Sequence, residues 1–461
     1  MTPARRVLVA GAGVAGRGVV AALLADGASV TVTDGNAERL AAFADTGART
    51  ALGLTEPPAG TDLVVTSPGW RPDSPLLLAA AAAGVEVIGD VELAWRLARR
   101  LPRPPVWLAV TGTNGKTSTV TMLESMLRAA GLNAVACGNV GLPVVDAVRA
   151  GHEVLAVELS SFQLHWQSSM RAHASVVLNV AEDHLDWHGG IDDYAAAKGK
   201  IHTGAKVVVH NTADEWSGRL AAAHEGTRVG FGLGTPRPGE LGVVEDLLVD
   251  RAFVDDPAST AEELATLGDV LPGGPHNVAN ALAAAALARA HGVPPEAVRD
   301  GLRAYRPGPH RAAPVAEVDG IRYVNDSKAT NPHAAAGSLR AFESVVWIAG
   351  GQLKGASVDG LVAEVAGRLR GAVLLGADAD VVSASLARHA PDVPVSRVPP
   401  GDDGAMTAAV HAARALARPG DVVLLAPAAA SLDMYRDYAH RGDAFADAVR
   451  GLLTDGGPGT G

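Results

Sequence analysis

The sequence predicts an α/β protein of three domains, each built on a mainly parallel sheet. Three observations point there. Short β-rich runs at residues 7–10, 29–33 and 62–66 alternate with Ala-rich helical stretches. The alternation resumes at residue 106 and continues through 154–159, 175–180 and 206–210, then resumes again at 321–324, 344–349, 371–375 and 421–426. Pro-rich punctuation at Leu101-Pro102-Arg103-Pro104-Pro105 and Tyr305-Arg306-Pro307-Gly308-Pro309 separates the three runs. A chain of 461 residues has room for two to four domains of roughly 100–200 residues each. The expected boundaries are 1–104, 105–306 and 307–461.

The first run opens on a strand that leads into Gly11-Ala12-Gly13-Val14-Ala15-Gly16, and Asp34 ends the second strand. Glycines there admit a pyrophosphate, and the acid at the next strand end binds a ribose, so a Rossmann-like domain is expected. A uridine nucleotide and NAD present the same pyrophosphate and ribose, and the motif admits both. Ser67 and Gly69, in Thr66-Ser67-Pro68-Gly69 at the end of the third strand, are placed to complete such a pocket.

The second run carries the densest motif. An apolar strand from residue 106 ends in Thr111-Gly112-Thr113-Asn114-Gly115-Lys116-Thr117-Ser118-Thr119, and residues 120–130 read as a helix. A Gly-rich turn at that junction aims backbone N–H groups and a positive helix end at an anion. Lys116 adds charge for outer phosphates, and Thr117 offers a hydroxyl to a phosphate-bound Mg²⁺. The general phosphate-loop pattern has Gly where Val110 stands, so this is a particular subtype within a central ATPase domain of the P-loop type. Glu158 ends the next strand, well placed for a nucleotide-bound Mg²⁺. His184, in Asn179-Val180-Ala181-Glu182-Asp183-His184-Leu185-Asp186, is a candidate metal ligand with acids to orient it. Only six of the 39 basic residues are lysine, Lys198 among them. Lysine is therefore concentrated where an amine is chemically required, since arginine replaces it poorly at reactive sites. An uncharged amine can add CO₂ to become a carbamate, which would make Lys198 an anionic metal ligand. Further on, 242–249 and 251–254 read as a hairpin, and 277–291 as an Ala-rich helix containing Asn280.

In the third run, Arg311 precedes Asn325-Asp326-Ser327-Lys328-Ala329-Thr330-Asn331, which follows a strand. Gly350-Gly351-Gln352-Leu353-Lys354-Gly355 and Ala426-Pro427-Ala428-Ala429-Ala430-Ser431-Leu432-Asp433 follow two later strands. Loops gathered at the C-terminal ends of parallel strands are the expected place for a binding site.

Composition narrows the function. Hydrophobic content of 48% marks a globular protein. A net charge of −11 argues against a nucleic-acid or anionic-membrane partner. The single cysteine, Cys137, excludes an intrachain disulfide and fits a reducing, cytoplasmic setting. The apolar residues after Arg5-Arg6 break at once into glycines and Arg17, which reads as a first strand rather than a signal sequence. No apolar stretch suits a membrane span.

Taken together, the order and spacing of these motifs resemble the ATP-dependent Mur ligases along nearly the whole chain, and among them the D-glutamate-adding member. Residues 111–117 and Glu158 mark the superfamily. Asn139 in Gly138-Asn139-Val140-Gly141, the run 158–163, residues 326–331 and Ser431-Leu432-Asp433 mark the member. The resemblance implies an ATP-dependent amide ligase that joins D-glutamate to UDP-N-acetylmuramoyl-L-alanine in peptidoglycan precursor synthesis, acting as a monomer. It implies that Gly13, Asp34, Ser67, Gly69, Asn139 and His184 hold the UDP substrate. Gly112, Thr113, Asn114, Gly115, Lys116, Thr117, Ser118, Asn280, Arg311 and Asp326 would contact ATP. Thr117 and Glu158 would hold one Mg²⁺, and His184 with carbamylated Lys198 a second. Lys116, His184 and Lys198 would carry the chemistry. Lys328, Thr330, Lys354, Ser431, Leu432 and Tyr438 would form the D-glutamate site, Tyr438 standing where the family commonly has Phe. An NAD-dependent oxidoreductase, the rival suggested by the first Gly-rich turn, leaves Lys116, Glu158 and Lys198 without a role.

Overall fold

The computed structural model describes residues 5–399 and 404–455. The chain folds as two compact units, one of Met1–Val180, Leu185–Val270 and Asn277–Tyr305, the other of Ala181–His184, Leu271–His276 and Arg306–Gly461. The first unit holds two sheets and the second holds one.

The first sheet contains β1 (Arg6–Ala10), β2 (Ser29–Asp34), β3 (Arg49–Leu52), β4 (Leu63–Thr66) and β5 (Glu86–Gly89), in the order β3-β2-β1-β4-β5. All its pairings are parallel. The chain order reverses between β1 and β4, so the turns after these strands flank one crevice, the expected ligand position in an open parallel sheet. Apolar residues fill both faces of β1 and β4, as strands covered on both sides require.

The second sheet contains β6 (Val106–Thr111), β7 (Ala134–Gly138), β8 (Val154–Glu158), β9 (Ala174–Val177), β10 (Val207–Asn211), β11 (Thr227–Phe231), β12 (Glu240–Val244), β13 (Leu247–Asp250) and β14 (Glu262–Thr266). Its order is β14-β13-β12-β11-β10-β9-β6-β8-β7. Strand β6 lies between β8 and β9, parallel to both, so its C-terminal end is again a switch point. Helix Pro275–Ala290 packs on this sheet, and Ala281 through Ala288 are fully buried. That all-round burial explains why it is apolar on every side.

Two sequence expectations shift here. The helix after β6 starts at Lys116 rather than Val120, because Gly115 takes a left-handed conformation (φ 84°) and turns the chain directly into the helix. The hairpin joins β12 to β13 through Glu245 at φ 55°. Residues 251–254 are not its second strand: the Asp250 carboxylate accepts the Ala252 and Phe253 N–H groups and turns the chain away.

One continuous apolar core joins the first two sheets, running from Val7 and Val65 through Val91 to Trp107 and Val157. Glu92 fixes this junction. Its buried carboxylate accepts from the Ser168 and Ser169 N–H groups, the Ser169 hydroxyl and Arg96 Nε. Burial pushes its pKa up, but those donors outweigh burial and hold it at about 2.

The third sheet contains β15 (Ala313–Val318), β16 (Ile321–Asn325), β17 (Val345–Gly350), β18 (Leu369–Leu375), β19 (Val395–Arg397) and β20 (Val422–Leu425), in the order β15-β16-β20-β17-β18-β19. Only β15 is antiparallel to its neighbour. Strands β16, β20 and β17 are adjacent, so the loops that follow them crowd one edge.

Candidate active site

The phosphate loop is held open by its own surroundings. Thr113 N donates to Asn179 O (2.9 Å) and Asn114 N to Asn179 Oδ1 (2.9 Å), while Asn179 Nδ2 donates back to Asn114 O (3.2 Å). A Cβ on Gly115 would stand 2.3 Å from Asn280 Oδ1, so only glycine lets Asn280 approach. Lys116 Nζ donates to Gly112 O and Thr113 O, both at 2.9 Å. Lys198, 1% exposed, donates from Nζ to the same Gly112 O at 2.9 Å and lies 4.4 Å above the Tyr194 ring. The Tyr194 hydroxyl is 3.2 Å from Thr113 Oγ1. Two lysine amines therefore converge on one loop carbonyl.

Thr117 Oγ1 donates to Glu158 Oε2 (2.8 Å), and Asn139 Nδ2 donates to Glu158 Oε1 (2.9 Å). The buried Glu158 carboxylate thus ties the first helical turn, which also carries the half-buried Ser118, to the loop after β7. A hydroxyl and a carboxylate oxygen this close are the donors a hard divalent cation takes, so these residues fit Mg²⁺. Among the described residues, no three His, Cys, Asp or Glu side chains group closely enough to hold a metal by themselves. Phosphate and water oxygens would have to complete such a site. His184 adopts φ 55°, and its Nε2 lies 3.6 Å from Asp183 Oδ2. Residues 181–184 cluster with the second unit, whereas Lys198 belongs to the first. The side chain of Asp186 lies outside those described.

In the first sheet the Asp34 carboxylate, 8% exposed, accepts from Ala12 N (2.8 Å) and Asn36 N (2.9 Å). The Gly-rich turn is thus fastened to the second strand's end. A Cβ on Gly16 would meet Gly11 O at 2.1 Å, while Gly13 and Gly69 face open space. Ser67 N donates to Ala10 O, which sets Ser67 beside that turn.

In the second unit, Asp326 accepts from Ala312 N (3.1 Å) and from the Ser338 hydroxyl. Burial raises its pKa to about 6, against those bonds and the Arg311 charge. Lys328 Nζ sits 4.0 Å above the Tyr438 ring, so the tyrosine offers the aromatic face that phenylalanine would. Thr330 and Tyr438 are half-buried, Ser431 is buried, and Lys354 and Leu432 are exposed, all on the loops after β16, β17 and β20 or at the start of helix Tyr438–Asp455.

Sequence reasoning gave no role to Asn179, Tyr194 or Arg441. Tyr194 precedes Lys198 by four residues on one helix, a spacing that puts both on the same face. Asn179 sits just beyond a strand end. Arg441 carries no local signal.

The sequence matches the Mur ligase middle domain over residues 110–288 and the Mur ligase glutamate ligase domain over residues 310–429. It is 60% identical to UDP-N-acetylmuramoylalanine--D-glutamate ligase of Thermobifida fusca, with 97% of this chain and 98% of that protein covered. The chain is a member of the Mur ligase family. The enzyme of the same name from Streptomyces avermitilis is 58% identical, with 97% of this chain and 98% of that protein covered. UDP-N-acetylmuramate-alanine ligase from Thermotoga maritima is a solved structure with a TM-score of 0.59 at 19% identity, covering 97% of this chain and 99% of that one. At that identity the likeness establishes the three-sheet Mur ligase fold. No helix among the described residues is long and apolar enough to cross a membrane.

Proposed function

We propose that this Mur ligase adds D-glutamate to UDP-N-acetylmuramoyl-L-alanine with ATP as co-substrate, in cytoplasmic peptidoglycan precursor synthesis, acting as a monomer. The observation that carries the reading is the loop from Gly112 to Ser118, with Lys116 and Thr117 beside Glu158, in a chain alike end to end to ligases of that name. Residues 1–104 would take the UDP substrate, 105–306 ATP and 307–461 the amino acid.

The chemistry follows from the substrates. A carboxylate is a poor electrophile because its oxygen is a poor leaving group. Transfer of the γ-phosphoryl group to the alanyl carboxylate gives an acyl phosphate and ADP. The neutral D-glutamate amine attacks the carbonyl carbon, the C–N bond forms through a tetrahedral intermediate, the nitrogen gives up a proton to a base, and phosphate leaves with the C–O bond pair. Two anions must meet first, and Lys116 turns from the loop carbonyls to the phosphoryl oxygens to offset their repulsion. Thr117 and Glu158 would hold Mg²⁺, which supplies further neutralisation of phosphate charge. As an ammonium, Lys198 has three donors and no lone pair for a metal; as a carbamate it would join His184 in holding a second ion. Asn280, Arg311 and Asp326 would contact ATP. Lys328, Thr330, Lys354, Ser431, Leu432 and Tyr438 would receive D-glutamate.

The test is an acceptor panel with ATP, Mg²⁺ and UDP-N-acetylmuramoyl-L-alanine. D-glutamate is expected to give the amide product, with L-alanine, L-lysine and meso-diaminopimelate giving none. Product with one of those, and none with D-glutamate, would overturn the assignment.

A further inference from the structure

Arg441 is a fully buried guanidinium on helix Tyr438–Asp455. Its Nε donates to Ser327 Oγ (3.0 Å), Nη2 to Ser327 O (2.9 Å), and Nη1 to Ala429 O (3.1 Å) and Gly350 O (3.5 Å). Gly350 ends β17, and Ser327 and Ala429 lie in the loops after β16 and β20, so the acceptors border the three loops that carry Lys354, Lys328 and Ser431. Every acceptor is a neutral oxygen, and among the described residues no carboxylate pairs with Arg441. Asp433 is the carboxylate that acts on it from nearby, but Asp433 Oδ2 is engaged by Ala377 N at 2.8 Å, and its Oδ1 is buried without a partner.

Burial lowers the Arg441 pKa to about 10, against the pull of Asp433 and Tyr435, so the group stays charged at neutral pH. Burying a cation without its own counter-ion carries a large desolvation cost. A neutral donor would tie the same carbonyls without that cost. What the charge adds is a positive potential behind the loops, beside Lys328 and Lys354 and partly offset by Asp433, Asp326 and Asp378.

We infer that Arg441 sets the acceptor pocket's preference for a dicarboxylate, its buried charge favouring an anionic side chain without touching it. The inference rests on the D-glutamate reading above. Arg441 is a positioning residue whose effect on binding is electrostatic.

The test is steady-state kinetics of Arg441→Gln and Arg441→Lys with D-glutamate and its neutral isostere D-glutamine, at saturating ATP and UDP substrate. Thermal melting checks that each variant is folded. Arg441→Gln is expected to raise KM for D-glutamate about 100-fold and to shrink the preference over D-glutamine by a similar factor. KM for ATP should change far less than KM for D-glutamate, since Lys116 and Thr117 are untouched and Arg441 bonds Ser327 rather than Arg311 or Asp326. Arg441→Lys keeps the charge and should keep most of the preference. A folded Arg441→Gln with the wild-type preference would overturn the proposal. So would an Arg441→Lys that loses the preference outright, which also decides the matter if Arg441→Gln does not fold. Wild-type turnover of D-glutamate tests the underlying reading separately, because no variant is needed for it.

Discussion

Two glycine-rich turns follow the first strands of two successive sheets, and they are wired with opposite charge. At the first, the buried Asp34 carboxylate accepts the Ala12 N–H, so the turn carries its own anion. At the second, Lys116 Nζ donates to Gly112 O and Thr113 O, so the turn carries a cation of its own. Both turns carry a strand's end into a helix, the first through an extended Gly13 and the second through a left-handed Gly115; the ligand each suits also differs. A phosphoryl group brought to about 4 Å from a carboxylate in a partly screened site meets about 4 kcal/mol of repulsion per pair of unit charges. On the proposed function, the first turn would take a ribose diol beside Asp34, and the second the phosphates that react. Gly-rich spacing alone says little about chemistry; the charged side chains around the turn decide it.

After Lys116, the largest effect near this turn comes from Lys198, whose amine reaches the same Gly112 carbonyl. Lys198→Ala should lower turnover about a thousandfold, and bicarbonate or acetate should restore part of it by standing in for a lost carboxylate. Near-normal turnover without additive would refute the carbamate role. Asp34→Asn should act on binding rather than chemistry: KM for the UDP substrate should rise about tenfold with kcat little changed. A fall in kcat with unchanged KM would place Asp34 in the wrong half of the comparison. The smallest effect is structural. Glu92→Gln, at the junction of the two sheets that bear the turns, should lower unfolding free energy by about 2 kcal/mol at neutral pH, as read by chemical denaturation. Because the folded carboxyl ionises near 2 rather than 4.5, the wild-type advantage is complete above the ordinary glutamate range. It should fade as pH falls from 4.5 toward about 2. An advantage that grew on acidification would contradict the network.

The phosphate loop was legible because its function lies in consecutive residues, where Gly115, Lys116 and Thr117 fix backbone and charge together. The strand-end loops of the third sheet were legible as a cluster for the same topological reason. Strand adjacency was less so: nothing local tells that β20 inserts between β16 and β17, which joins the loops of Ser431 and Lys328 through Ala428 N to Ala329 O at 2.9 Å. Arg441 was invisible because its partners, Ser327, Gly350 and Ala429, come from three distant segments. Asn179 was hidden by being an ordinary polar residue whose value lies in clamping a loop 65 positions earlier. The hairpin was misplaced by one strand because the alternation of 251–254 mimics a strand, while Asp250, paired with Arg289, turns the chain out of the sheet.

The central claim is that the second turn handles the phosphoryl group. Its most direct measurement is phosphate release by Lys116→Ala and Asp34→Asn, with ATP, Mg²⁺ and D-glutamate at saturation and the UDP substrate raised until the rate is constant. Lys116→Ala should release no phosphate at any substrate level, while Asp34→Asn should approach the wild-type rate. Unchanged release by Lys116→Ala would contradict the account.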